Sequence, residues 1–100
     1  MKKLLLLIIF SPLLVAGQFT TFIPDSAFEA YLEANGMGNN IPNDSTVFTS
    51  AIDTVIYLNI SSSNIADLTG IKDFSVLDTL DCSSNNLDSI DISSNNLSYF

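Results

Sequence analysis

Apolar residues recur along the second half of the chain in a fixed register. Val55, Leu58, Ile60, Ile65 and Leu68 are matched 22 residues later by Leu77, Leu80, Cys82, Leu87 and Ile90, and a third run opens with Leu97 and Phe100. Polar Ser63 and Asn85 hold equivalent places within the two full copies. A shorter echo lies inside the pattern: residues 81–87 (Asp-Cys-Ser-Ser-Asn-Asn-Leu) and 91–97 (Asp-Ile-Ser-Ser-Asn-Asn-Leu) are identical at six of seven positions. A disordered Ser/Asn-rich tail would not keep apolar residues in step over two copies. Self-similarity at this period predicts units that cannot bury their apolar side chains alone and do so by stacking. Side chains alternate along a strand, so Leu58, Ile60, Leu80 and Cys82 are expected inside, with Tyr57, Asn59, Ser61, Thr79, Asp81 and Ser83 outside. Asn85 sits where the chain leaves the strand, and its amide is suited to satisfying backbone groups inside the coil. Asn86 and Asn96 read as solvated turn residues.

The region before the repeats follows a different period. Phe28, Tyr31 and Leu32 fall at i, i+3 and i+4 within 26–35, the spacing of one helix face. Ser26 and Glu29 have the spacing of a capping box, and Asp25 is the alternative cap. Asn35 and Gly36 end the helix, residues 36–45 form a turn-rich loop, and 46–49 reads as a short strand. This divides the chain into a cap at 18–54 and repeats at 55–100, namely 55–76, 77–96 and a third beginning at 97. Phe28, Tyr31 and Leu32 are expected to close the first coil near Val55, Leu58 and Ile60. Because the chain stops on Phe100, inside an expected strand, the sequence reads as part of a longer protein.

The run at 77–87 matches L-x-x-L-x-L-x-x-N/C-x-L, with cysteine at one apolar place, and so resembles the leucine-rich-repeat family. The copy at 55–65 departs from it in having Ser63 where asparagine is expected, so that coil lacks the amide expected to satisfy its interior backbone groups. Ile-Pro-Asp-x-x-Phe-Glu-x-Tyr-Leu at 23–32, followed by the Ser/Asn-rich repeat at 80–93, is more narrowly similar to secreted, internalin-like repeat proteins of bacteria. The resemblance implies a leucine-rich-repeat solenoid: a parallel β-strand ladder with one short N-terminal capping helix, incomplete at the C-terminus. It also implies protein or surface-glycan partners, since such folds serve as scaffolds for binding.

The first residues change the cellular setting. Lys2 and Lys3 precede an apolar run, Leu4 to Val15, and small residues at Val15-Ala16-Gly17. This is the pattern of a signal peptide at 1–17, cleaved to leave Gln18 first, with a secreted or cell-surface destination. The apolar run spans 12 residues and contains Pro12, short of the roughly 20 that cross a bilayer, so no membrane insertion is expected after signal removal. No cysteine follows the cleavage site to carry a lipid.

Beyond residue 17, Lys72 is the one cation against 11 carboxylates, and the chain has no arginine. A charge of about −10 on that segment repels phosphate backbones, so nucleic-acid partners are not expected. Cys82 is the single cysteine. An internal disulfide framework is therefore excluded, and the residue's place in the pattern assigns it to packing.

Candidate chemistry is sparse. The chain has no histidine, so the common acid, base and metal ligand is missing. Glu29 and Glu33 share a helix face and read as a solvated pair. Asp81 and Asp91 are expected on different sides of a coil and not as a catalytic dyad. Residues 39–44 offer oxygen ligands but lack the spacing and closing glutamate of an EF-hand. No cofactor and no catalytic residue is expected. The expected ligand face is the outward row Tyr57, Asn59, Ser61, Thr79, Asp81 and Ser83, with Tyr99 in the next coil. Two other readings stay open on sequence alone: an accessory domain of a larger secreted enzyme, and a spacer that holds other domains away from the cell surface.

Overall fold

The structure, a computed structural model, describes residues 19–100; the signal-peptide expectation at 1–17 and its cleavage before Gln18 lie outside them. In chain order the elements are β1 (Thr20–Phe22), α1 (Ser26–Ala34), β2 (Thr46–Phe48), β3 (Tyr57–Asn59) and β4 (Thr79–Asp81), with 3₁₀ turns at Thr49–Ala51 and Ile71–Asp73. No helix among the described residues is long and apolar enough to cross a membrane.

β1 and β2 pair antiparallel, with Thr21 opposite Val47. The sequence pattern does not signal β1, because one inward residue in three (Thr21, 2% exposed) gives no apolar alternation. α1 follows at once. Its cap is Asp25 and not Ser26: one carboxylate oxygen, Oδ1, accepts the Ala27 and Phe28 backbone N–H groups at 2.9 Å each. The capping-box partner Glu29 is used elsewhere, as shown below. The helix ends at Asn35, and Gly36 follows in the left-handed region at φ 75°.

β3 and β4 pair parallel, in the register Tyr57–Thr79, Leu58–Leu80, Asn59–Asp81. A further parallel bridge joins Thr79 to Tyr99. Hydrogen bonds continue past the strand ends, from Ile60 N–H to Asp81 C=O (2.8 Å), Ser62 N–H to Ser83 C=O (2.9 Å) and Asn86 N–H to Ile65 C=O (2.9 Å). Strands this short gain little individually, so the stacking of one coil on the next holds the ladder. At equivalent places just beyond each strand, Ser62 and Ser84 take left-handed φ values of 53° and 58°.

A single apolar core runs from the cap into the coils. Ile23, Phe28, Leu32, Val47 and Ile52 supply the cap side, and Leu58, Ile60, Ile65, Leu68, Ile71, Phe74, Leu77 and Leu80 the coil side. The helix meets the first coil through Phe74: its ring stacks on Phe28 with centroids 6.2 Å apart and planes 15° from parallel. Phe74 lies outside the apolar register read from the sequence. Tyr31, expected beside Phe28 and Leu32, is only partly buried at the margin of the core. Gly70 lets β1 and the coil approach closely. It has φ 105°, and a Cβ there would collide with the Ile23 side chain and stand 2.7 Å from the Phe22 carbonyl oxygen. Beside it, Thr21 donates its hydroxyl to Asp73 at 2.8 Å.

Candidate binding face

The parallel register lines up the outward side chains of consecutive strands. Tyr57, Thr79 and Tyr99 form one column, and Asn59 and Asp81 a second. Ser61 and Ser83 follow two residues further along. Tyr57 and Tyr99 are 60% and 69% exposed, whereas Leu58 and Leu80 between the outward positions are buried. The ladder thus displays two aromatic side chains separated by one small hydroxyl residue.

The polar members of the face are less free than their exposure implies. Asn59 Oδ1 accepts both the backbone N–H (3.0 Å) and the hydroxyl (2.7 Å) of Ser61. Asp81 Oδ1 does the same for Ser83, at 3.1 and 2.7 Å. The turn recurs at Asp67 with Thr69 and at Asp91 with Ser93. These side chains mimic a backbone turn and bend the chain out of each straight segment. Of the seven residues assigned to the ligand face, four therefore have a structural task. Tyr57, Thr79, Tyr99 and the outer atom of each Asx side chain remain to meet a partner. The signal was present in the sequence as Asn/Asp-x-Ser/Thr spaced along the chain. The Ser83 hydroxyl, then its N–H, holds the Asp81 carboxyl below the usual aspartate range, so it is ionised at neutral pH.

Cys82, between Asp81 and Ser83, is half-buried against the core. Burial, with Asp81 beside it, pushes its thiol pKa up. That disfavours the thiolate and hence nucleophilic or redox chemistry.

A second polar cluster lies in the cap. Carboxylate oxygens of Glu29, Glu33 and Asp44 come within 4.8 Å of one another. The reading of Glu29 and Glu33 as a solvated pair is corrected here: Glu29 is only 2% exposed. Its two oxygens accept the backbone N–H groups of Asp44 and Ser45 at 3.1 Å, while Glu33 accepts those of Asn39 (2.9 Å) and Asn40 (3.0 Å). The helix face that periodicity sends to solvent is covered instead by the 36–45 loop, whose turns leave N–H groups needing acceptors. Burial, then the Asp44 carboxyl, raises the Glu29 pKa against the opposing pull of the two N–H groups. Asp44 is lowered to about 2, chiefly by the Asn39 amide. With every oxygen of the trio engaged by N–H or hydroxyl donors, the arrangement fastens the loop to the helix.

No family model and no curated protein matches the chain. Among solved structures, the functional domain of InlJ from Listeria monocytogenes, described as including a cysteine ladder, superposes with a TM-score of 0.66. Sequence identity is 30% over 83% of this chain. The chain is similar to an internalin repeat domain. It spans 19% of that internalin chain, so the likeness extends to a leucine-rich-repeat type of fold and an internalin-like relation. The parallel pairing of β3 with β4 and the bridge to Tyr99 agree with that type of fold.

Proposed function

We propose that the chain is a non-catalytic binding module of an exported, internalin-like repeat protein, which engages a protein or surface glycan through the outward face of its ladder. The observation that supports this most directly is the Tyr57–Thr79–Tyr99 column. Tyrosine brings large contact area at a cost of only two side-chain torsions; Tyr57 stands on β3, whose Leu58 is in the core, and Tyr99 is bridged to β4. The half-buried, poorly ionised Cys82 and the fully engaged carboxylates of the cap argue for a scaffold over a reaction centre. The signal-like start of the sequence and its acidity fit work outside the cell, where partners are met in solution or on surfaces.

An array of purified surface proteins and glycans, probed with the full-length chain, tests the reading. Binding is expected, and Thr79→Trp, which fills the space between the tyrosines without touching the core, is expected to abolish it. Undiminished binding by a Tyr57→Ala/Tyr99→Ala double variant would reject this face.

A further inference from the structure

We infer that the gap between Tyr57 and Tyr99 is a slot for an arginine side chain of a protein partner, closed at one end by Asp81. This rests on the ladder face being the binding surface and specifies what that face takes.

The spacing is the first argument. Tyr57 and Tyr99 both pair with Thr79, so they lie two strands apart, about 10 Å at the usual strand separation. Tyrosines on adjacent strands would stand about 5 Å apart and leave no room for a guest between them. At twice that distance there is room for a cation midway, about 5 Å from the strand on either side and within the roughly 6 Å over which a ring face attracts a cation. Thr79, the residue between them, is small and leaves the gap open from above.

The second argument is charge. Asp81 is the next outward residue after Thr79 on β4. Its Oδ1 is committed to Ser83, and among the described hydrogen bonds Oδ2 takes none, which leaves an anionic acceptor at the end of the slot. In the column of Asp81, the preceding strand carries neutral Asn59. The one cation among the described residues, Lys72, is in the 3₁₀ turn at Ile71–Asp73, outside the strand ladder. A flat guanidinium can stack on aromatic faces and still donate N–H groups in its plane to a carboxylate, whereas an ammonium does only one of these well. The net charge of −8 draws basic partners towards the whole chain.

The test uses the full-length protein and an Arg-Gly repeat peptide at low ionic strength, with lysine and citrulline versions as controls. Amide shifts on titration should centre on Tyr57, Thr79, Asp81 and Tyr99, with arginine ahead of lysine and citrulline silent. Tyr57→Ala and Tyr99→Ala should each weaken binding about three- to tenfold. Asp81→Asn should weaken it similarly with the fold intact, since Asn59 already makes the same turn with Ser61. Equal binding of the citrulline peptide, shifts centred elsewhere, or unaltered binding by Asp81→Asn overturns the assignment. Should the arginine peptide fail while Thr79→Trp still abolishes capture of an arrayed ligand, the slot is wrong and the binding face stands. If Thr79→Trp changes neither, both fall.

Discussion

Asn85 belongs to the second coil by sequence, yet its Oδ1 accepts the backbone N–H of Ser63 in the first, at 2.9 Å. The same oxygen takes the Ile65 N–H at 3.0 Å, and the amide nitrogen donates to the carbonyls of Ile60 (2.7 Å) and Cys82 (3.0 Å). One side chain thus serves two coils. It also explains how the first coil tolerates serine at position 63: the asparagine of its neighbour supplies the acceptor.

Asn85→Ala leaves two N–H groups and two carbonyls in the coil interior without these partners. Unfolding in urea should show a loss of about 2–4 kcal/mol. A loss below about 0.5 kcal/mol, the size of an ordinary surface change, would show that the bridge between coils contributes nothing.

Asp25 joins the cap to the repeats in a similar way. While Oδ1 caps α1, Oδ2 accepts the Ala66 and Asp67 N–H groups at 2.8 and 3.0 Å. Asp25→Ala should cost about 3 kcal/mol, a helix cap plus two charge-assisted hydrogen bonds. Asp25→Asn keeps one oxygen, so about half of that loss is expected in the same urea experiment. Equal losses for the two variants would mean that only one end of the carboxylate matters.

The repeat was legible in the sequence because Leu58, Ile60 and Leu80 recur at a spacing that only stacking explains, and all three are buried. Helix α1 was legible through Phe28 and Leu32. What was hidden depends on contacts between distant segments. β1 carries one inward residue, so no local period marks it. Phe74 takes its place from Phe28, 46 positions earlier in the chain. Glu29 has the spacing of a solvent-facing residue and is buried because a loop folds over it. On the outward face of the ladder, alternation marked Tyr57 and Tyr99 as exposed. It could not show that Asn59 and Asp81 spend an oxygen on their own turns, since that depends on the backbone conformation after the strand.

Gly70→Ala should be poorly tolerated. The left-handed φ and the contact with the Phe22 carbonyl act together, and because the obstacle is partly backbone, a loss of about 2 kcal/mol or more is expected on thermal or urea unfolding. A neutral outcome would show that β1 is free to move off the coil.

The serines at 62 and 84 give the opposite sign. Both hold left-handed φ values, where a side chain costs roughly 1 kcal/mol and glycine costs nothing in the folded state. Ser84→Gly should therefore be neutral to stabilising by up to about 1 kcal/mol, after the greater freedom of glycine in the unfolded chain is deducted. A clear destabilisation would mean the Ser84 side chain does something the backbone geometry does not reveal.

Stability should peak in mildly acidic solution. Burial pushes the Asp25 carboxyl up, but four backbone N–H groups together outweigh it and hold the pKa below its ordinary value. Asp44, at about 2, is depressed as well. Depressed carboxylates add stability above their unfolded pKa, and that contribution drains away as pH falls through the folded value. Glu29 behaves inversely: its pKa is raised, so the fold prefers it protonated, and stability declines as pH rises from its ordinary value through the raised one. Urea midpoints measured against pH should fall on both sides, and Glu29→Gln should flatten the upper limb. A wild-type midpoint that stays level as pH rises above the ordinary glutamate value contradicts the assignment of Glu29.

The small turns closed by Asn59 on Ser61 and by Asp81 on Ser83 bear on how such a surface diversifies. Each turn is satisfied within three residues, so amide and acid are interchangeable there as far as the bend is concerned. Duplicating a coil, or exchanging Asn for Asp within it, shifts the electrical character of the exposed side by one charge per rung and leaves the backbone path alone. The charge of the exposed side can thus change without first repairing the architecture beneath it.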